Sequence, residues 1–259
     1  MEKKHFLVVR NTGVILLLLL MSSNKTADTI QQDKDGFVQI FDGKTLKDWE
    51  GDPAYWRVEN GCLVGEVTPT TILKTNTFII WRGGVTTDFE LKGSFNITAD
   101  GNSGINYRSE QLKDIPFALR GYQADIDGKI RYTGQNYEER GRTTLAYRGQ
   151  KTTITSQENP EKPESFNAYV KNNAWLGLNL TGSLGNPDSL RSLIKSEGWN
   201  DFHLIVKGNR LQHFVNGTLM SDVTDNDSLN RKLSGLLGVQ VHVGPPMKVQ
   251  FKNMRFKKL

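Results

Sequence analysis

Gln123, Asp125 and Asp127 stand at alternate positions in Gly121-Tyr-Gln-Ala-Asp-Ile-Asp-Gly128. Gln240 and His242 do the same in Leu237-Gly-Val-Gln-Val-His-Val-Gly244. Carboxylates, amides and an imidazole at this spacing are groups that hold a polar ligand and move protons. The residues between them, Tyr122, Ala124 and Ile126 in one segment and Val239 and Val241 in the other, are apolar. Successive side chains of a strand point to opposite faces, so each segment predicts a strand with one face in a core and the other toward a ligand. Retaining glycoside hydrolysis needs two carboxylates flanking the scissile bond. Set against the Glu, Asp and Glu that retaining enzymes of family 16 carry at alternate strand positions, this run has an amide, Gln123, in place of the nucleophile, which disfavours that route.

The elements that carry these groups are mostly strands. Phe89, Leu91, Phe95 and Ile97 alternate with polar residues, as do Phe202, Leu204 and Val206, and Met247, Val249 and Phe251. The apolar phase then shifts to Met254 and Phe256, which predicts a bulge near Asn253. Turn signals fall at Asp42-Gly43, Asn60-Gly61, Gly83-Gly84, Gly208-Asn209 and Asn216-Gly217. Residues 157–164, with Pro160 and Pro163, read as a loop, and residues 188–195 as a short helix capped by Asp188 and stopped at Gly198. The fold class expected is all-β: a two-sheet antiparallel β-sandwich of the jelly-roll kind, with one short helix.

Composition narrows the function classes. The 259 residues carry a net charge of +5, but the excess is scattered, and its densest part, Lys248, Lys252, Arg255, Lys257 and Lys258, reads as a solvated strand edge. No nucleic-acid partner is expected. Lys3, Lys4 and Arg10 precede an apolar run from Val14 to Met21, the pattern of an export signal over 1–27, followed by a linker, 28–35, and one domain, 36–259. The run is far short of the ~20 residues of a membrane-spanning helix, so no integral span is expected, and the protein reads as periplasmic, cell-surface or secreted. The single cysteine, Cys62, allows no intrachain disulfide. No serine-nucleophile elbow, phosphate loop or His-Glu-x-x-His helix is present.

Seven stretches in order, Gly36 to Trp49, Asn102-Ser-Gly-Ile-Asn-Tyr-Arg108, Gly121 to Ile126, Tyr137-Glu-Glu-Arg-Gly-Arg142, Gly198-Trp-Asn200, His213-Phe-Val-Asn-Gly217 and Gly238-Val-Gln-Val-His242, resemble the 3-keto-disaccharide hydrolase family. The resemblance implies a concanavalin-like jelly roll acting on carbohydrate oxidised at C3, a glucoside or disaccharide. Many members read Gly-Tyr-Glu-x-Gln-Ile where this chain has Gly121-Tyr-Gln-Ala-Asp-Ile126, so the carboxylate has moved two positions along one face. A C3 ketone acidifies the C2 hydrogen, and a base can then eliminate the C1 substituent before water adds back. On that chemistry His242 or His213 is the base, Arg108 stabilises the enolate, Asp125 orients a histidine, and Glu138 or Glu139 protonates the leaving oxygen. Asn106, Gln123, Gln240, Glu139 and Arg142 are the candidate substrate-binding residues. A divalent cation between Asp125 and His242 is the one cofactor considered. A lectin-like carbohydrate-binding module is the alternative function, since such sandwiches host both enzymes and lectins.

Overall fold

Where β-branched and aromatic residues alternate with polar ones, the chain forms strands, and it does so in a computed structural model that describes Met1 and residues 32–156, 173 and 175–259. The leader read over 1–27, Met1 apart, and the loop read at 157–164 lie outside the described residues. Within Gln31–Leu259, one compact unit, the strands build two sheets. The larger runs β12 (Leu178–Ser183), β11 (Gln150–Ile154), β15 (Thr218–Asp225), β14 (Arg210–Val215), β13 (Asn200–Lys207), β6 (Phe89–Ile97), β17 (Met247–Lys258), β4 (Cys62–Val67) and β3 (Trp56–Glu59), with β1 (Val38–Gln39) also on β17. The smaller runs β10 (Thr143–Ala146), β9 (Asn136–Glu139), β8 (Leu119–Asp127), β7 (Asn102–Gln111), β16 (Gly235–Val241), β5 (Thr77–Thr86) and β2 (Trp49–Glu50). Pairing is antiparallel except between β11 and β15, which run parallel.

The core is formed by one face of each sheet. Ile79, Ile105, Tyr122, Val239 and Val241 come from the smaller sheet, and Leu63, Phe89, Leu91, Phe95, Leu204, Val249 and Phe251 from the larger. Each such side chain stabilises the fold by roughly 1.5–3 kcal/mol on burial. Tyr107 stacks on Tyr122 with ring centroids 5.6 Å apart, and Phe89 stacks on Phe256 at 5.5 Å. The Asn60-Gly61 and Asn216-Gly217 turns have positive φ at both residues, the conformation a two-residue hairpin requires. The predicted bulge is present: the register between β17 and β6 shifts after Lys252, and Asn253 takes a φ of 55°.

Four sequence readings are corrected. Gly83-Gly84 is not a turn but the interior of β5, where the Trp81 ring lies so close that a Cβ on Gly83 would come within 2.6 Å of it. The helix, α1, spans Pro187–Arg191 and is capped by Asn186, whose side chain accepts from the amides of Asp188 and Ser189. Proline takes the first helical position, so the cap falls on the residue before it, two places earlier than Asp188. The C-terminal lysines do not line an edge: β17 lies between β6 and β4, and Lys248, Arg255 and Lys257 pair with Glu59, Asp33 and Glu90. Arg108, two residues after Asn106 and so expected on its face by strand alternation, does not share it, because the β7–β8 register breaks after Tyr107 and Arg108 takes a φ of 46°.

Candidate functional site

Register brings the polar residues of the smaller sheet together on its outward face. Asn106 lies opposite Gln123, Gly104 opposite Asp125, and Gly238 opposite Asn106. Cross-strand partners share a face, so Asn106, Gln123, Asp125 and Gln240 form one patch over three strands. Gly104 is required there: a Cβ would fall 2.4 Å from the Gln123 amide carbon. Phe78, Ile80 and Leu119 form a separate apolar cluster on the same outward face.

A chain of amides ends on the carboxylate. Gln240 Nε2 donates to Gln123 Oε1 at 3.3 Å, and Gln123 Nε2 donates to Asp125 Oδ1 at 2.6 Å. The other oxygen, Oδ2, accepts from Gln135 Nε2. No cation neutralises Asp125 within this chain of contacts, so burial pushes its pKa up to about 7, against the hydrogen bonds from Gln123 and Gln135 and with help from the charges of Glu139 and Asp127. Two buried acceptors beside it, Asn106 Oδ1 and Gln240 Oε1, have no partner within the protein. Leaving such a group unsatisfied costs about 1–3 kcal/mol, which a ligand donor would recover.

Glu139 faces outward at the end of this patch, with Oε1 accepting from Asn76 Nδ2 at 3.1 Å and Arg140 Nε 3.7 Å away. Asn76 in turn accepts from the Val243 amide at 2.9 Å, tying β9 to the segment that follows β16. His242 lies in that segment, half-buried, with Nδ1 against the Val243 carbonyl. It lines a cleft of about 270 Å³ together with Asn102, Asp127, Arg131 and Tyr132. Asp127 is committed to its turn, accepting from the amides of Arg131, Tyr132 and Thr133 at 2.8–2.9 Å. The cation expected between Asp125 and His242 is not supported by this arrangement, in which Asp125 bonds Gln123 and Gln135 while His242 Nδ1 is turned to the Val243 carbonyl. Among the described residues no group of three or more His, Cys, Asp or Glu side chains is placed to hold a metal.

Four of the sequence candidates lie on the inner side of the smaller sheet or beside it, away from this patch. Arg108 has its side chain wholly enclosed, donating to the carbonyls of Thr87 and Gly208 and to Asp88 at 2.9 Å. Glu138 pairs across the strands with Tyr122, an inward residue, and holds Arg142 Nε at 2.6 Å. Arg142 also binds Asp225 at 2.7 Å and Asp227 at 3.1 Å, so it serves three buried carboxylates. Against the enolate role expected of Arg108, the acid role of Glu138 and the substrate-binding role of Arg142, these side chains lie away from the patch and are committed to ion pairs of their own.

His213 is the fourth. Its Nδ1 donates to the Gln135 carbonyl at 3.3 Å, since that oxygen can only accept, and Nε2 accepts from Tyr107 Oη at 2.8 Å. Burial pulls its pKa down to about 4, so the ring is neutral and enclosed. That corrects its assignment as the base, but it holds the backbone of the residue that donates to Asp125. A histidine lowered on folding binds its proton more readily when unfolded. Its contribution is therefore present above about pH 6.5 and lost as pH falls toward 4, on the order of 3 kcal/mol in all. Urea midpoints measured from pH 7 to pH 4 should fall steeply for the native chain and less for His213→Gln. Parallel curves for the two proteins would rule the assignment out.

Sequence reasoning missed Gln135 and Asn76. Gln135, Tyr137 and Glu139 alternate, so the rule that found Gln123 and Asp125 would have found Gln135 one residue before β9. Asn76 precedes β5 and carries no comparable signal.

Residues 36–257 match a family model described as a 3-keto-alpha-glucoside-1,2-lyase-like domain. A curated protein of Bacteroides thetaiotaomicron named 3-keto-disaccharide hydrolase is 30% identical over 94 residues, 31% of this chain and 30% of that protein. The match thus spans under a third of that relative's length. A proposed glycosyl hydrolase from Parabacteroides distasonis superposes with a TM-score of 0.52 at 17% identity, covering 86% of this chain and 99% of that one. A Bacillus subtilis protein of unknown function with a galectin-like fold gives 0.53 at 12% identity, over 84% and 94% of the two chains. These structural likenesses carry the two-sheet sandwich, and the match over 36–257 carries more: the chain belongs to the family of 3-keto-alpha-glucoside-1,2-lyase-like domains.

Proposed function

We propose that this protein cleaves the glycosidic bond of a glucoside or disaccharide oxidised at C3, by elimination and rehydration, with Asp125 as the base. The observation that carries the reading is a buried carboxylate held by two neutral amides with no counter-charge on the outward-facing side of the sheet, an environment that pushes its pKa up to about 7. A general base works best when its pKa lies near the operating pH. Ionised Asp125 takes the proton from C2, which the C3 ketone has acidified. The C2–H electron pair forms the C1–C2 double bond, and the C1–O bond breaks with its pair going to the leaving oxygen. The proton on Asp125 is then available to that oxygen. Water next adds hydroxide to C1 and a proton to C2, so the sum is hydrolysis.

Other residues of the patch position the substrate. Asn106 Nδ2 has only a 3.5 Å contact to Ser109 Oγ, which leaves it able to donate to the enolate oxygen. The unpaired acceptors Asn106 Oδ1 and Gln240 Oε1 suit sugar hydroxyls. His242 and Glu139 flank the patch rather than joining the amide chain. The family and the relative's name support glycoside cleavage, and the leader pattern supports export to the periplasm or beyond.

The test is to incubate the purified chain in deuterated water with 3-keto-trehalose, 3-keto-lactose and their unoxidised forms, and to follow products by mass spectrometry. Cleavage of the keto forms alone, with deuterium at C2 of the released keto sugar, is the expected result. Cleavage without deuterium would replace elimination by direct displacement. Binding without cleavage would make the protein a carbohydrate-binding module. Because Asp125 acts ionised, kcat/KM should rise with pH along a limb centred near 7. A limb centred near 4 would point to an ordinary carboxylate instead.

A further inference from the structure

Gln135 belongs to two places at once. Its Nε2 donates to Asp125, and the residue also lines a cleft of about 620 Å³ with Arg131, Tyr147, Arg148, Leu180 and Pro187. That volume lies within the range of small-molecule sites. Tyr147 and Leu180 are both exposed, and three glycines, Gly149, Gly182 and Gly185, add lining without side chains. Arg148 is fixed at the wall by donating from Nη1 to the Thr133 carbonyl at 2.7 Å and from Nε to the Pro187 carbonyl at 3.2 Å. The lining residues include two arginines and no carboxylate. Such a cleft offers a flat aromatic surface and cationic donors, and so it selects a ligand with a flat ring and electron-rich oxygens.

We propose that this cleft receives the leaving group of the substrate and that it favours a phenolic aglycone, with the ring on Tyr147 and the oxygens toward Arg131 and Arg148. The inference rests on the elimination reading above for its place in the reaction. There the electron pair of the breaking C1–O bond passes to the glycosidic oxygen. A phenolic oxygen holds that charge better than a sugar alkoxide, and arginines beside it lower its energy further. Gln135 is the link, since it touches both the base and the cleft. A second sugar ring in the same place would need acceptors for its hydroxyl protons, and the charged side chains lining the cleft are two arginines with no carboxylate.

The test separates binding from turnover. The full chain is titrated with 4-nitrophenol alone by calorimetry, alongside Tyr147→Ala, Arg131→Met and Asp125→Asn. Tyr147 and Arg131 are both exposed, and circular dichroism confirms that their variants fold. Saturable binding is expected, weakened about tenfold in Tyr147→Ala and in Arg131→Met, and retained in Asp125→Asn. In turnover, the ratio of kcat/KM for the 3-keto 4-nitrophenyl glucoside to that for the 3-keto methyl glucoside should fall about tenfold in the same two variants. No saturable binding of 4-nitrophenol, or equal binding by the native chain and both cleft variants, overturns the proposal. So does tighter binding of free glucose than of the phenol. If the phenol binds as expected and no keto glycoside is cleaved, the cleft assignment stands and the elimination reading fails.

Discussion

Asp125→Asn should lower kcat/KM on a 3-keto glycoside by about 10²–10⁴ while making the protein more stable in alkaline solution. Both effects come from one cause. Asp125 is buried with amide donors and no counter-charge, so its pKa rises from 3.8 in the free residue to about 7. The folded state therefore holds a proton that the unfolded chain has released between those values. Stability is undiminished below pH 3.8 and is lost as pH rises through 7, on the order of 4 kcal/mol in all. An asparagine carries no charge to bury, and Gln135 can rotate its amide to accept from it. Urea midpoints at pH 5 and pH 8 should converge in the variant and diverge in the native chain. A variant that turns over normally, or one less stable than the native chain at pH 8, would end the case for Asp125 as the base.

Arg142→Met should be the most damaging single change to the fold. Arg142, with its side chain only 3% exposed, bonds to Glu138 at 2.6 Å, to Asp225 at 2.7 Å and to Asp227 at 3.1 Å. Tyr122 Oη adds a donor to Asp225 at 2.5 Å, and Ser156 and Asn230 add donors to Asp227. Removing the guanidinium leaves three enclosed carboxylates without their cation. Breaking one buried pair costs about 3–5 kcal/mol, a large part of the stability of a domain. Thermal melts should show a drop of many degrees or no cooperative transition. A second variant, Glu138→Gln, removes one of the three charges and keeps a bonding partner, so it should melt within a few degrees of the native chain. A folded Arg142→Met protein that fails only to bind sugar would return Arg142 to the substrate site.

The outward patch was legible because strand parity is a local rule. Gln123, Asp125 and Gln240 were readable on one face from spacing alone, and the register of β7, β8 and β16 brings them together. Parity fails where the backbone leaves the pleat, and that is what misplaced Arg108: a bulge and a positive φ turn it inward. For His213 the rule was right and ambiguous. It shares parity with Leu211 and Val215, which are core residues, and only the partners Tyr107, Asn136 and Gln135, distant in sequence, make a buried imidazole affordable there. Glu138 and Glu139 are adjacent, so one had to face inward, but choosing between them requires knowing that Glu138 lies opposite Tyr122. Partners such as Asp225 and Asp227 are more than 80 residues from Arg142 and leave no trace in local pattern.

The position of β17 has a consequence in time. This last strand lies between β6 and β4 and takes β1 on as well, so Val249 and Phe251 meet Ile97 and Phe95 on one side, and Gly65 and Leu63 on the other. A ribosome makes β17 after every other described strand, at roughly 5–20 residues per second. Until then β6 and β4 each expose an unpaired backbone edge, and Phe95 and Leu63 lack a neighbour. The larger sheet thus stays open until β17 follows the other described strands, an interval of many seconds in which β6 and β4 are both edges. The twelve residues of β17 act as the latch.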